Sequence, residues 1–201
     1  MKNRAAEFIK SVLAGIMISI GGMVYLSCEN KYVGAFFFAT GLIGVVMLGL
    51  NLYTGKIGYV LDNDKNFLID TILSVFGNLL GCFLCGYAKS PISNVVEICA
   101  KKFEKTIPEV FIDGIFCGIL IFVAVEIFKK KNHIVGVLLC VPTFILCGFE
   151  HSVADMLYIF NARMMDLEGM IFTATVVLGN AVGGLLFPVS LKLYSYLTKK
   201  Q

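Results

Sequence analysis

The sequence predicts an all-α integral membrane protein with six transmembrane helices, and three observations carry that expectation. The chain is 58% hydrophobic, with a mean hydropathy of +0.84, against about 45–50% apolar content for a soluble domain. The excess lies in six runs, each reaching or approaching the ~20 residues a spanning helix needs. Short polar and glycine-containing motifs recur between the first three runs and the last three.

The runs cover residues 11–27, 33–52, 67–88, 110–128, 134–160 and 170–197. The first follows the charged start MKNRAAEFIK, which is like a signal peptide's leading region. Further spans follow it, so it reads as a retained helix. The second run is interrupted by LNLYTGK at 50–56, and the fifth by GFEHS at 148–152. Polar groups and glycine inside an apolar run predict broken helices, because non-helical backbone at that depth survives only when it lines a cavity or is buried in protein.

In the third run, Gly77-Asn78-Leu79-Leu80-Gly81 matches Gly179-Asn180-Ala181-Val182-Gly183 in the sixth. In the first, Ala14-Gly15-Ile16 matches Asp113-Gly114-Ile115 in the fourth, and the same offset sets Asn51-Leu52 on Glu150-His151. Three spans separate each pair, so the second half is inverted, a build shared by many channels and secondary transporters. A single domain over residues 1–201 follows, with repeats at about 11–88 and 110–197. Closely spaced glycines (Gly41/Gly44, Gly77/Gly81, Gly114/Gly118, Gly179/Gly183) predict close helix packing. Asn78 and Asn180 are expected to hydrogen-bond the freed backbone of the broken segments.

An even number of spans puts both termini on one side. Eleven of the 17 Lys and Arg residues fall on that side and six on the other, so both termini should be cytoplasmic, in the cell's inner membrane. Three of the six on the outer side, Lys101, Lys102 and Lys105, cluster before the fourth run. The net charge of +3 reflects this topology and gives no ground for a nucleic-acid partner. Seven cysteines, an odd number mostly inside apolar runs, read as packing residues and not a disulfide framework. The Cys82/Cys85 pair lacks a soluble redox fold around it. With only two histidines, one of them in a basic loop, a multi-histidine metal site is not expected, and no cofactor is called for.

The stretch CGFEHSVADMLY places Glu150, His151 and Asp155 together in the fifth run. Such groups are costly in lipid and mark function or a buried partner. GFEHSVADM resembles the GFEHSxANM signature of the formate/nitrite transporter family. Leu52-Tyr53-Thr54-Gly55-Lys56 resembles that family's E-L-F-T-G-N loop, Phe111 to Gly118 its F-x-x-G-I-x-C-N stretch, and Gly179 to Gly184 its G-N-x-x-G-G. The resemblance runs in order along nearly the whole chain.

The resemblance implies an aquaporin-like inverted repeat, with a pore through each protomer of a homopentamer in the lipid bilayer. It implies passage of small monovalent weak-acid anions, formate or nitrite foremost, with hydrosulfide and lactate as further candidates. His151 falls on the pore histidine, Glu150 on its neighbouring carboxylate, Thr54 on the loop threonine and Lys102 on the lysine of the outer vestibule, with Lys105 as the fallback. Phe38, Leu42, Leu52 and Phe144 fall on the apolar constrictions. The chain departs from the pattern at Asn51 (family Glu), Lys56 and Gly118 (family Asn at different motifs), and Asp155 (family Asn). Asp155 either pairs with the His151 imidazole one turn away or is tied to backbone amides outside the pore, and the second is expected.

Physically, the outer lysines form a positive vestibule that concentrates anions, although two of the three are expected to be ordinary solvated loop charges. A bare anion entering an apolar constriction is strongly disfavoured, and a neutral acid much less so. His151, the intramembrane group whose ordinary titration lies near neutrality, either gives the anion a proton, which makes transport proton-linked, or hydrogen-bonds it while neutral. An ammonium or neutral-solute pore is the alternative within transport. An enzyme is disfavoured, because no G-x-S-x-G or H-E-x-x-H motif is present, and a structural membrane protein is the remaining alternative.

Overall fold

The computed structural model describes residues 3–199 and is helical throughout, with no strand among the described residues. Lys2 and Lys200, two of the cations on the terminal side, lie outside the described residues. The helices are α1 (Arg4–Ser27), α2 (Lys31–Met47), α3 (Tyr53–Lys56), α4 (Lys65–Ala88), α5 (Val95–Phe103), α6 (Ile107–Lys131), α7 (Val135–Leu146), α8 (Ser152–Ala162) and α9 (Leu167–Thr198), with a 3₁₀ turn at Ile57–Asp62 after α3.

Side-chain caps fix several starts. Asn3, Asn30, Asp64 and Asp166 each accept from a backbone N–H in the first turn of α1, α2, α4 and α9. Thr106 and Glu109 form a reciprocal capping box at α6, where Pro108 occupies a position that has no helical hydrogen bond to lose.

Among the described residues, four helices, α1, α4, α6 and α9, are long and apolar enough to cross a membrane. The apolar α2 and α7 are shorter. Each ends at a glycine with positive φ, Gly49 at +62° and Gly148 at +72°, a conformation that disfavours any residue with a Cβ. The chain then runs extended for a few residues and restarts as α3 or α8.

Small residues are frequent where the long helices face one another, and large apolar ones cover their outer faces. The buried positions of α1 include Ser11, Ala14, Gly15, Ser19, Gly21 and Gly22. The outer faces expose large apolar residues, among them Leu68, Ile72, Phe76, Leu80 and Leu84 on α4 and Leu178, Leu186 and Leu193 on α9. Water would penalise apolar faces of this extent, whereas lipid accepts them, and the small interior lets helix backbones touch.

Packing is closest in two pairs, α1 with α4 and α6 with α9. A Cβ on Gly15 would lie 2.3 Å from the Asn78 carbonyl oxygen, and one on Gly118 would lie 2.4 Å from that of Asn180. This equivalence corrects the motif alignment. Gly15 corresponds to Gly118, one helical turn beyond the Gly114 that the sequence motif aligned with it. The segment at 89–109, which lies between the third and fourth apolar runs, contains the amphipathic α5, whose Val95 and Cys99 are buried against the bundle.

Candidate functional site

The two breaks meet in the middle of the bundle. Asn78 Oδ1 accepts from Tyr53 N–H (2.9 Å), and its Nδ2 donates to the carbonyls of Ser11 (2.7 Å) and Asn51 (3.0 Å). Asn180 Oδ1 accepts from Ser152 N–H (2.9 Å), and its Nδ2 donates to the carbonyls of Gly114 (2.8 Å) and Glu150 (2.9 Å). Both asparagines are fully buried. Each satisfies backbone groups that a break leaves without helical partners, in surroundings where an unpaired group is costly.

His151 is 2% exposed and caps α8 through its own ring, Nδ1 accepting from Ala154 N–H at 3.1 Å. A ring nitrogen that accepts from an amide carries no hydrogen, so the neutral imidazole holds its proton on Nε2. Nε2 lies 3.0 Å from Thr54 Oγ1, which links the two breaks directly. Phe144 stacks on the imidazole (ring centroids 5.5 Å apart, 21° between planes), and Phe38 meets Phe144 edge-on at 5.9 Å. Phe38, Leu42, Leu52 and Phe144 are all buried. Leu42 and Leu52 also line a cavity of about 250 Å³ near the start of α1, together with Glu7, Asn51, Lys56 and Asp70.

On the other side of His151 lies an ionic cluster. Lys102 Nζ pairs with Glu150 Oε2 and with Asp155 Oδ1 (3.0 Å). Lys105 Nζ pairs with Glu150 Oε1 (2.7 Å) and Asp113 Oδ2 (2.7 Å), and donates to the Gly148 carbonyl (3.1 Å). Burial works against the Lys102 ammonium, but the Asp155 and Glu150 carboxylates outweigh it and its pKa is raised. Lys101 alone of the three lysines is a surface charge, paired with Glu97 on its own helix. Two expectations are corrected here. Lys105 is not a solvated loop lysine, because the α5–α6 turn brings it onto Glu150. Among the described residues, the Asp155 carboxylate meets neither a backbone amide nor the imidazole: it binds Lys102, and the Asp155 N–H donates to the His151 carbonyl as the first bonds of α8 require.

Asn51 faces the opposite end. Its Nδ2 donates to the Glu7 carbonyl and to Glu7 Oε2 (both 2.9 Å), and its Oδ1 accepts from Lys56 Nζ at 3.3 Å. The sequence reading missed Glu7 and the pairing role of Asp113. Glu7 lies in the charged start of the chain and carries no motif, while Asp113 lies in a motif whose repeated residues are the glycine and isoleucine after it. Asn161 was missed as well. Its fully buried side chain accepts from Ile92 N–H and donates to Gly86 O, holding the loop that leads into α5. The one signal for it was a lone polar residue in YIFNA. Among the described residues, no group of three or more His, Cys, Asp and Glu side chains is arranged to hold a metal.

A family model described as formate/nitrite transporter matches residues 2–194. A probable formate transporter of Methanothermobacter thermautotrophicus is 26% identical, with 94% of this chain and 88% of that protein covered. An uncharacterised transporter of Saccharomyces cerevisiae is 24% identical over 94% of this chain, which spans only 36% of that protein's length. A solved pentameric formate channel with formate bound superposes with a TM-score of 0.77 at 23% identity, covering 96% of this chain and 98% of that one, and this likeness bears on the fold. With the model matching nearly from end to end, the chain belongs to the formate/nitrite transporter family.

Proposed function

We propose that the chain passes a small monovalent weak-acid anion, formate or nitrite, through a pore centred on His151 and bounded by two apolar constrictions. Phe38 and Phe144 contribute to one, Leu42 and Leu52 to the other. The observation that carries this reading is the buried His151–Thr54 contact between the two breaks, with Phe144 stacked on the ring. It sets a directed N–H, and a hydroxyl free to rotate, in an otherwise apolar stretch.

The geometry favours a neutral imidazole as hydrogen-bond donor. Protonating Nδ1 would set an N–H against the Ala154 N–H and remove the cap of α8, at a helix end where positive charge is already disfavoured. His151 then orients the passing species through Nε2, and the proton that lets a weak acid cross the apolar rings travels with it. Transport is therefore proton-linked without a charged histidine. The relatives' names, the formate-bound pentamer that the chain superposes on, and the repeated hydrogen-bond set at Asn78 and Asn180 support a homopentamer of inverted-repeat protomers, each with its own pore.

The test is flux in liposomes. Formate, nitrite and hydrosulfide uptake would be followed against pH for the wild type and His151→Asn. Acid-stimulated flux of one anion, reduced at least ~10-fold by a substitution that withdraws about 1.4 kcal/mol or more of stabilisation at the barrier, is the expected result. A correctly assembled wild type that carries none of the three anions overturns the anion reading and directs attention to neutral solutes.

A further inference from the structure

The charged groups between α5 and the break before α8 do not balance. Three carboxylates, Glu150, Asp155 and Asp113, face two ammonium groups, Lys102 and Lys105. With every group ionised, the cluster carries a net negative charge, at the place where the sequence alone suggested a positive vestibule. An anion approaching it meets repulsion that low-dielectric walls strengthen.

The three carboxylates are not equivalent. Both oxygens of Glu150 are paired, one with each lysine. Asp113 is partly exposed, so water stabilises its charge. Asp155 is 1% exposed, and only its Oδ1 is paired; Oδ2 is buried and meets no hydrogen-bond donor among the described residues. Asp155 and Glu150 also flank the same ammonium, so each ionised carboxylate disfavours the other. Cys99 on α5, Cys117 on α6 and Tyr158 on α8 also lie within electrostatic reach of Asp155, and their types carry no charge at neutral pH when unperturbed. Asp155 is thus the member of the cluster that gains most from a proton.

We propose that Asp155 binds a proton from the outer solution and thereby sets the charge of the vestibule, releasing Lys102 to receive the anion. With Asp155 ionised, Lys102 is held by two carboxylates and the cluster repels anions. With Asp155 protonated, the cluster is neutral, Lys102 keeps Glu150 alone, and an N–H of its ammonium turns to the incoming anion. Asp155 acts through Lys102 and is a positioning residue. This inference rests on the anion-transport reading above and adds acid regulation of entry to it.

The experiment measures initial formate and nitrite influx into liposomes, with the pH difference across the membrane held constant and the absolute pH varied, so that driving force and titration are separated. The co-transported proton gives every variant a common fall with pH; above the titration midpoint of Asp155, wild-type influx is expected to fall by about a further tenfold per pH unit. Asp155→Asn is expected to keep the common fall and lose the further one, while Asp155→Glu keeps both. Glu97→Gln, in an exposed pair outside the cluster, should match the wild type. A pH profile of Asp155→Asn that parallels the wild type, at any height, overturns the proposal.

Proton binding has a second readout that needs no transport. Infrared difference spectra of aspartate-labelled wild-type protein should show a buried carboxylic acid appearing with acid, at the labelled aspartate frequency, and Asp155→Glu should move it to the unlabelled glutamate position. Absence of that band overturns the proposal even if Asp155→Asn fails to assemble. If the wild type carries no anion at all, the transport reading fails, and the band still decides whether Asp155 takes up the proton.

Discussion

At the scale of single residues, Asn180 holds the second break with three hydrogen bonds, and Asn78 does the same at the first. Asn180→Ala would leave Ser152 N–H and the Glu150 and Gly114 carbonyls without that partner, at about 1–3 kcal/mol for each group left unsatisfied. We expect the melting temperature in detergent to fall by many degrees, with loss of the proposed homopentamer on size-exclusion chromatography. Thr143→Val, which removes an exposed hydroxyl bonded to its own helix at Leu139 O, should change neither; equal melting temperatures for the two variants would contradict the assigned role of Asn180. The two asparagines were legible in the sequence because each lies between glycines in a repeated motif next to a predicted break. The Asp155–Lys102 pair was not. Its two members are separated by the whole of α6 and α7, and only the fold of α5 brings the lysine onto α8.

At the scale of elements, glycine positions decide how near the helices come. Gly118→Ala would place a Cβ 2.4 Å from the Asn180 carbonyl oxygen and 2.9 Å from its Cα, both backbone atoms that cannot move aside. The gain in helix propensity, about 1 kcal/mol, is too small to offset separating α6 from α9. We expect clear thermal destabilisation and weakened cross-linking between engineered α6 and α9 positions. Gly55→Ala, whose nearest obstacle is the Val125 side chain at 3.4 Å, should be tolerated, and similar losses in both variants would refute this account. Motif matching found the glycines but misaligned α1 and α6 by one turn, because several small residues at near-helical spacing let the wrong turn match as well. The breaks were legible because Gly148 and the polar residues around it interrupt apolar runs. Helix α5 escaped because it is short and buries only one face, so its charges made it look like a loop.

At the scale of the whole molecule, the exposed faces of the long helices are apolar and the charged residues gather at the ends of the bundle and in the buried cluster. That distribution fits a multi-pass membrane protein, and the uneven division of Lys and Arg between the two sides proposes its orientation. Reading α2 with α3, and α7 with α8, as one crossing each gives six crossings and returns both termini to one side, which the division of Lys and Arg proposes as the cytoplasm. The connection after α4, at residues 89–94, and the loop at Asn132 after α6 should then lie on opposite sides. Fusions carrying alkaline phosphatase, which folds only outside the cytoplasm, should be active after Ser90 and inactive after Asn132 or at the C-terminus. A fluorescent protein that folds only inside should show the reverse. Active phosphatase at the C-terminus with inactive phosphatase after Ser90 would invert the orientation and put the Lys102–Asp155 cluster on the cytoplasmic side. Phosphatase activity of the same sense after Ser90 and Asn132 would instead remove a crossing from α6, and with it the six-span count.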